Sequence, residues 1–426
     1  MKKLLIISPY FPPCNAADMQ RIRMSLPFFS RFGWNASVVC VDPVFCEVNK
    51  DPLLLETIPS EIPVYYIKPI SKKWTAKFGL GSIALRSLNN YRKTVNAILK
   101  KEQFDLIYFS TTQFPVCILG NYWKKKFGIP YVIDMQDPWH SDYYMSKPKH
   151  ERPPKYWFSY RLNKWLEPIA MKKTDGIIAV SQSYIDTLQE RYPQLRQIPT
   201  RVITFGAFEV DFEIAKQSKI SAPSILKKKS VHEISIGYIG RGGYDMHDAL
   251  TILFTAFKNG LELNPEYFER MRFYFIGTSY AKNGTGIPTI TPLAERMRMT
   301  DYVEEKTDRL PFYQTLNTLK SFDILFICGS NDDKYTASKI YPYILAEKPL
   351  LSIFHPKSSA AKIIRECQAG EVITFDEVSD VQMRKILNYL QNFDNLYTQY
   401  SSEAFIPYSA KEMTRKQCEL FNKSIS

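Results

Sequence analysis

Two short segments in the second half of the chain combine residue types that hold anions. Ile234 to Gly240 is an apolar, β-rich run that leads straight into Arg241-Gly242-Gly243. Glycines let backbone amides approach an anion closely, and a guanidinium offers a forked pair of donors suited to a diphosphate. A tight turn with a surface arginine has the same sequence, so this segment gains weight only beside a second one. That second segment follows the run Asp323 to Cys328. There Gly329-Ser330-Asn331-Asp332-Asp333 forms a polar loop, and Thr336-Ala337-Ser338-Lys339 is expected to open a helix reaching about Leu345. Hydroxyls and an ammonium in a first helical turn lie beside free N–H groups and the positive end of the helix dipole. Simple N-capping by Thr336 or Ser338 is the alternative. If both runs are strands of one parallel sheet, the two segments face one crevice at its carboxyl edge, where ligands of such sheets bind.

The elements that must position these residues alternate along the whole chain. Strands are expected at 3–8, 36–41, 64–67, 105–110, 131–135, 176–180 and 201–205, and then at 234–239, 273–276, 323–328, 350–354 and 371–374, with helical patterns between most of them. Such alternation marks parallel sheets with crossover helices. A length of 426 residues exceeds one core and suits two. The segment 216–232, rich in Lys and Ser and without periodicity, reads as a linker. The expected architecture is α/β: two doubly wound Rossmann-like domains, 1–215 and 233–405, with a closing helix at 406–426.

Composition narrows the functional classes. Hydrophobic residues make up 45% and charged residues 23%, which excludes a disordered chain. The seven cysteines show no C-x-x-C pair and the five histidines are dispersed, so no metal site is expected and a reducing compartment is. The apolar run Leu4 to Ile7 is too short for a secretory signal, and no run approaches the roughly 20 residues of a spanning helix. The expected location is cytoplasmic or peripheral on the inner face of the plasma membrane. Of the net charge of +13, much falls in two stretches, Lys68–Lys101 and Lys147–Lys173, the second interleaved with Tyr156, Trp157, Phe158, Tyr160 and Trp165. Cations with aromatic rings fit an anionic membrane surface, or a solvated helical face with core aromatics. No helix-turn-helix, zinc-finger or RRM signature accompanies the charge, so nucleic acid is not an expected partner.

A family resemblance runs through these segments. Ile6-Ile7-Ser8-Pro9-Tyr10-Phe11-Pro12-Pro13 with Ala16-Ala17 and Arg21, then Asp105-Leu106-Ile107-Tyr108, Gly128 to Asp134 with Asp137-Pro138-Trp139, Asp175 to Ser181, and Gly240-Arg241 resemble the successive signatures of glycosyltransferase family 4. The resemblance implies a GT-B fold whose two domains face a cleft, with a nucleotide-sugar donor in the second domain and a saccharide or lipid-linked acceptor in the first. It also implies transfer with retention and no required metal or other cofactor. Gly240, Arg241, Gly242, Gly243, Thr336, Ser338 and Lys339 would then hold the donor, with Asp332 or Asp333 beside them. Ala16, Ala17, Asp18 and Arg21 would line the acceptor side, and Asp137 or His140 would face the acceptor or the sugar. Arg241 and Lys339 would stabilise the departing diphosphate.

The chain departs from that pattern at several positions. Ala16 and Ala17 stand where the family's loop glycines fall, Gln136 where a histidine often precedes the aspartate, and Gly243 to Asp248 where a lysine usually follows the Gly-Arg turn. The paired glutamates are replaced, by Pro342 and near Lys334. Asp332, Asp333 or Glu347 would have to serve the ribose instead. These losses keep open a catalytically degenerate GT-B protein that binds a saccharide or a partner. A nucleotide-sugar epimerase on the same fold is a third reading.

Overall fold

The computed structural model describes residues 1–75, 81–142, 145, 152, 156–221, 223–226, 232–281, 284–330, 338–396 and 399–426. Among them the chain forms two parallel sheets. The first takes β1 (Lys2–Ile7), β2 (Trp34–Val41), β3 (Val64–Ile67), β4 (Leu106–Ser110), β5 (Tyr131–Met135), β6 (Gly176–Ala179) and β7 (Thr200–Val202) in the order β3-β2-β1-β4-β5-β6-β7. The second takes β8 (Ile234–Ile239), β9 (Met271–Ile276), β10 (Val303–Lys306), β11 (Ile324–Cys328), β12 (Leu350–Phe354) and β13 (Glu371–Thr374) in the order β10-β9-β8-β11-β12-β13. Both orders reverse direction beside their first strand, at β1/β4 and at β8/β11. With right-handed crossovers, helices lie on opposite faces to either side of that point, which is the doubly wound α/β arrangement.

The sequences explain the sheets. Leu4 to Ile7, Leu106 to Phe109 and Ile324 to Cys328 are continuous apolar runs, and each is buried on both faces, as strands between two helical layers must be. β10 is the strand that apolar patterning missed. Its Val-Glu-Glu-Lys sequence is half-buried at the sheet edge, where it pairs with β9 from Val303↔Phe273 to Lys306↔Ile276. Glu305 is useful there: it accepts from the backbone N–H groups of Ile290 and Thr291 at 3.1 and 2.8 Å, at the start of the helix Thr291–Arg296.

The chain divides into two compact units, Met1–Gly206 with Ser409–Ser426, and Ala207–Tyr408. The break falls nine residues before the expected end of the first domain at 215. The reason is local: Tyr313 donates to Asp211 at 3.2 Å and Asn317 to the Ala215 carbonyl at 2.8 Å, which holds Val210–Gln217 against the helix Phe312–Ser321. Of the segment 216–232 expected as a linker, 222 and 227–231 lie outside the described residues. The last helix, Ala410–Ile425, belongs to the first unit. Its Phe421 packs on Trp34 and Tyr108, with ring centroids 5.6 and 4.8 Å apart, and Gln417 donates to Ser25 at 2.9 Å. All seven cysteines are buried and unpaired.

Candidate functional site

In the second unit, the candidate residues gather at the β8/β11 switch point. The chain turns at Gly240, whose φ of +156° only glycine adopts readily. A Cβ there would run into Lys339 Nζ and lie 3.3 Å from the Tyr238 hydroxyl, so glycine keeps open the space the lysine occupies. Arg241 makes a bidentate pair with Asp245, Nη1 to Oδ1 at 3.0 Å and Nη2 to Oδ2 at 2.8 Å. Burial pushes the Asp245 carboxyl up, but Arg241 and a hydrogen bond from Ser330 outweigh it and hold the group below the usual carboxylate range. Gly243 is close-packed, since a Cβ there would collide with this pair.

Lys339 reaches across from the β11 side. Its ammonium donates to the Tyr238 hydroxyl and lies 4.5 Å from the centroid of the same ring. Desolvation, followed by the repulsion of Arg241 and Arg309, pushes its pKa down to about 8. An anion beside Lys339 would favour its charged form. Arg309 was not among the candidates from sequence. It follows β10, whose charged sequence hid the strand and so hid the residue just past its end. It lies 5.0 Å from the Tyr280 ring, and its loop is stitched to the neighbouring one by Asp308 accepting from the Gly284 N–H at 2.8 Å.

The expected helix at 336–345 is shorter than the sequence reading. It spans Ile340–Leu345, with Ser338 and Lys339 in the turn before it. Pro342 has no N–H and its ring clashes with a preceding turn, so the helix has to begin close in front of it. Lys339 accordingly stands at the N-cap of the helix, where its side chain makes no capping hydrogen bond, and Ser338 before it is exposed. Thr336, Asp332 and Asp333 lie outside the described residues. Tyr343 ties the helix to the site: its hydroxyl accepts from the Ile239 N–H at 2.6 Å and donates to the Ile239 carbonyl at 3.2 Å. That bond satisfies the end of β8, which pairs with β11 only from Ile324↔Ile236 to Leu325↔Gly237.

In the first unit, the loop after β1 meets the ends of β4 and β5. Asp18 is buried and accepts from Thr111 Oγ1 at 2.8 Å and from the Thr112 N–H at 3.0 Å; burial nonetheless raises its pKa. Arg21 is fully buried. Its Nε lies 2.7 Å from Asp134 Oδ2, and its Nη atoms donate to the carbonyls of Ile203 at 2.8 Å and Thr204 at 3.2 Å. With no exposed surface, Arg21 ties the segment after β1 to Asp134 and to the chain after β7. Gln136 completes the network, donating to Asp134 at 2.8 Å and to the Asp18 carbonyl at 3.2 Å. Ala16 is buried and Ala17 exposed. Asp137 is exposed at the mouth of this network, where crowding by the protein and then the Asp18 charge push its pKa up to about 6. His140 is buried against Tyr160, with ring centroids 4.7 Å apart. Desolvation, then Arg191, lowers its pKa, and its Nε2 has no hydrogen-bond partner among the described residues. Thr111, Thr112 and Gln136 thus join Asp18 in one hydrogen-bonded cluster, while the His140 ring packs on Tyr160. Among the described residues no group of three His, Cys, Asp or Glu side chains is placed to hold a metal ion.

Known proteins share the fold of this chain. The family model described as Glycosyltransferase Family 4 matches residues 65–206. Comparison with curated protein sequences gives no match. Among solved structures, Anabaena HepE in complex with UDP and glucose is 16% identical with a TM-score of 0.59, over 98% of this chain and 99% of that one. A UDP-forming trehalose-phosphate synthase from Burkholderia xenovorans is 10% identical with a TM-score of 0.60, over the whole of both chains. The N-terminal domain of Candida albicans trehalose-6-phosphate phosphatase is 11% identical with a TM-score of 0.64, over 99% of this chain and 97% of that one. The chain therefore has the GT-B glycosyltransferase fold, and its residues 65–206 carry the pattern of Glycosyltransferase Family 4.

Proposed function

We propose that this protein is a glycosyltransferase that moves a sugar from a nucleoside-diphosphate sugar to a saccharide or lipid-linked acceptor in cell-envelope polysaccharide assembly. The observation that carries the reading is the seating of Lys339 against the Gly240 turn, joined through Tyr238 to Arg241, at the point of the second sheet where ligands of this fold bind. The match to the family model and the likeness to a UDP-binding protein support it. On this reading the diphosphate replaces Asp245 as the partner of Arg241, which with Lys339 stabilises the leaving group without a metal. Transfer is with retention, the departing phosphate taking the acceptor proton on the same face, and Asp137, half-protonated near its pKa of about 6, faces the acceptor as a hydrogen-bonding group. The chain works in the cytoplasm, where its buried thiols stay reduced.

A second reading has its own observation. Pro342 occupies the place of the family's second glutamate and points no carboxylate at a ribose, which favours a degenerate protein that binds saccharide without turnover. Calorimetric titration with UDP, GDP, ADP and CMP separates the two. Binding of one diphosphate, lost in Lys339→Met, supports the transferase and names its donor class. Absence of binding by all four sinks it in favour of the degenerate reading.

A further inference from the structure

The helix Tyr156–Met171 of the first unit leaves one of its faces unpartnered in an unusual way. Its buried residues are Leu166, Glu167, Ala170 and Met171, which face the sheet and its neighbouring helices. Trp157, Arg161, Lys164, Trp165 and Pro168 are exposed, and Lys172 continues the row just past the last turn. The spacing of four, three, one, three and four residues follows the helical repeat, so these side chains form a single stripe. Trp165 is 67% exposed, Trp157 46% and the flanking Phe158 45%. A soluble surface seldom carries three large aromatic rings on one helix.

The charge of the stripe selects what covers it. Glu167 is the one acidic residue of the helix, and it is turned inward, accepting from Arg191 at 3.1 Å and from Tyr192 at 2.9 Å. The charged residues on the exposed face of this helix are positive, and the one described acid beside it, Asp142, is held by Tyr160, which donates to it at 2.7 Å. Arg152 adds a further positive charge, 5.5 Å from the Trp157 ring. On the neighbouring helix Ile118–Phe127, exposed Lys126 donates to the Tyr122 hydroxyl at 3.1 Å. Rings flanked by an excess of cations match the boundary between anionic headgroups and acyl chains, where indoles settle and cations pair with phosphates. No described helix is long and apolar enough to cross a membrane, so the contact is one of lying on the surface.

We infer that the face Trp157–Arg161–Lys164–Trp165 docks the first unit on an anionic lipid bilayer. The rings enter the interfacial region and Arg161, Lys164 and Lys172 lie among the headgroups. A lipid-linked acceptor would then be met in the plane of the membrane, which depends on the function proposed above; the docking itself does not.

Co-sedimentation of the full chain with phosphatidylcholine vesicles, with and without phosphatidylglycerol, tests this with no nucleotide present, so its result is independent of transferase activity. The chain is expected to pellet only with the anionic vesicles and to be released by salt. The double substitution Arg161→Gln, Lys164→Gln should weaken partitioning about 25-fold, at about fivefold per cation. Trp157→Ala with Trp165→Ala should weaken it about tenfold or more. Thermal unfolding of each variant checks its folding, and the fully exposed charge pair keeps the test valid if the tryptophan variant unfolds. A wild-type chain that stays in the supernatant, folded variants that bind as tightly as wild type, or a dimer in sedimentation equilibrium that the tryptophan substitutions dissociate would each overturn the inference. The last outcome would make this face a contact between copies.

Discussion

The Tyr238 hydroxyl accepts a hydrogen bond from the Lys339 ammonium and donates one to the Arg241 carbonyl at 2.7 Å, so a single ring joins the two candidate segments. The lysine thereby sits against the Gly240 turn although 99 residues separate them in sequence.

Lys339→Met is expected to weaken nucleoside-diphosphate binding about 10- to 100-fold, the worth of a charge-assisted hydrogen bond, as read by calorimetry. Stability should move the other way. The folded pKa of about 8 lies below the ordinary lysine value of 10.5, so the charged form is a cost fully present below about pH 8 and relieved as pH rises toward 10.5. Lys339→Met should therefore raise Tm at neutral pH. In the wild type, nucleotide affinity should decline as pH rises above about 8, with proton uptake on binding seen as a dependence on buffer ionisation enthalpy. Affinity that stays flat through that range would remove Lys339 from the site.

Gly240→Ala separates site geometry from stability. The new methyl meets the movable end of Lys339 rather than backbone, so the fold should survive with the strain of one unfavourable φ, about 1 kcal/mol. The ammonium, however, must leave its place. Nucleotide binding should fall nearly as far as in Lys339→Met, and a variant with wild-type binding would show that the lysine's position is immaterial.

Arg21→Met leaves Asp134 buried without its cation and strips the Ile203 and Thr204 carbonyls of their donors. Loss of about 3–5 kcal/mol in urea unfolding is the expected result, the range for breaking a buried ion pair from one side. Arg21→Lys should recover little of it, because an ammonium cannot reach a carboxylate and two carbonyls at once. A loss within 1 kcal/mol would mean that the network relaxes around the gap.

Asp137 carries a raised pKa of about 6 against an ordinary 3.8, so its ionised form is disfavoured in the folded state. Its contribution to stability falls as pH rises from about 4 through about 6 and stays low above that. Asp137→Asn should consequently raise Tm at neutral pH and leave it unchanged in acid, while abolishing the acidic limb of the activity profile. Equal effects on Tm at both extremes would contradict the assignment.

Of the thirteen strands among the described residues, twelve are legible in sequence, most of them as apolar runs buried on both faces, the edge strands Val64–Ile67 and Thr200–Val202 as short β-rich segments that are only half-buried. Val303–Lys306 is not, since an edge strand held by backbone pairing and by Glu305 carries no apolar signal. Arg309 was lost with it. The Gly240-Arg241 turn and Lys339 could be read from residue type and position after a strand. Burial could not: Arg21 and Ala17 look alike as loop residues, and only the fold puts one inside and leaves the other open. Nor could the length of the 340–345 helix be read without giving Pro342 more weight than the hydroxyls before it.

The closing helix at Ala410–Ile425 has a consequence for how the protein is made. Phe421 fills the gap between Trp34 and Tyr108, and Gln417 satisfies Ser25, so the first unit's hydrophobic interior stays unfinished until the helix Ala410–Ile425 has left the ribosome. The second unit is complete by Tyr408, and its two ends meet where the Ala207 N–H bonds to the Tyr408 carbonyl at 3.0 Å. During synthesis the later half of the chain can therefore settle first, while the earlier half waits, open, for its last sixteen or so residues.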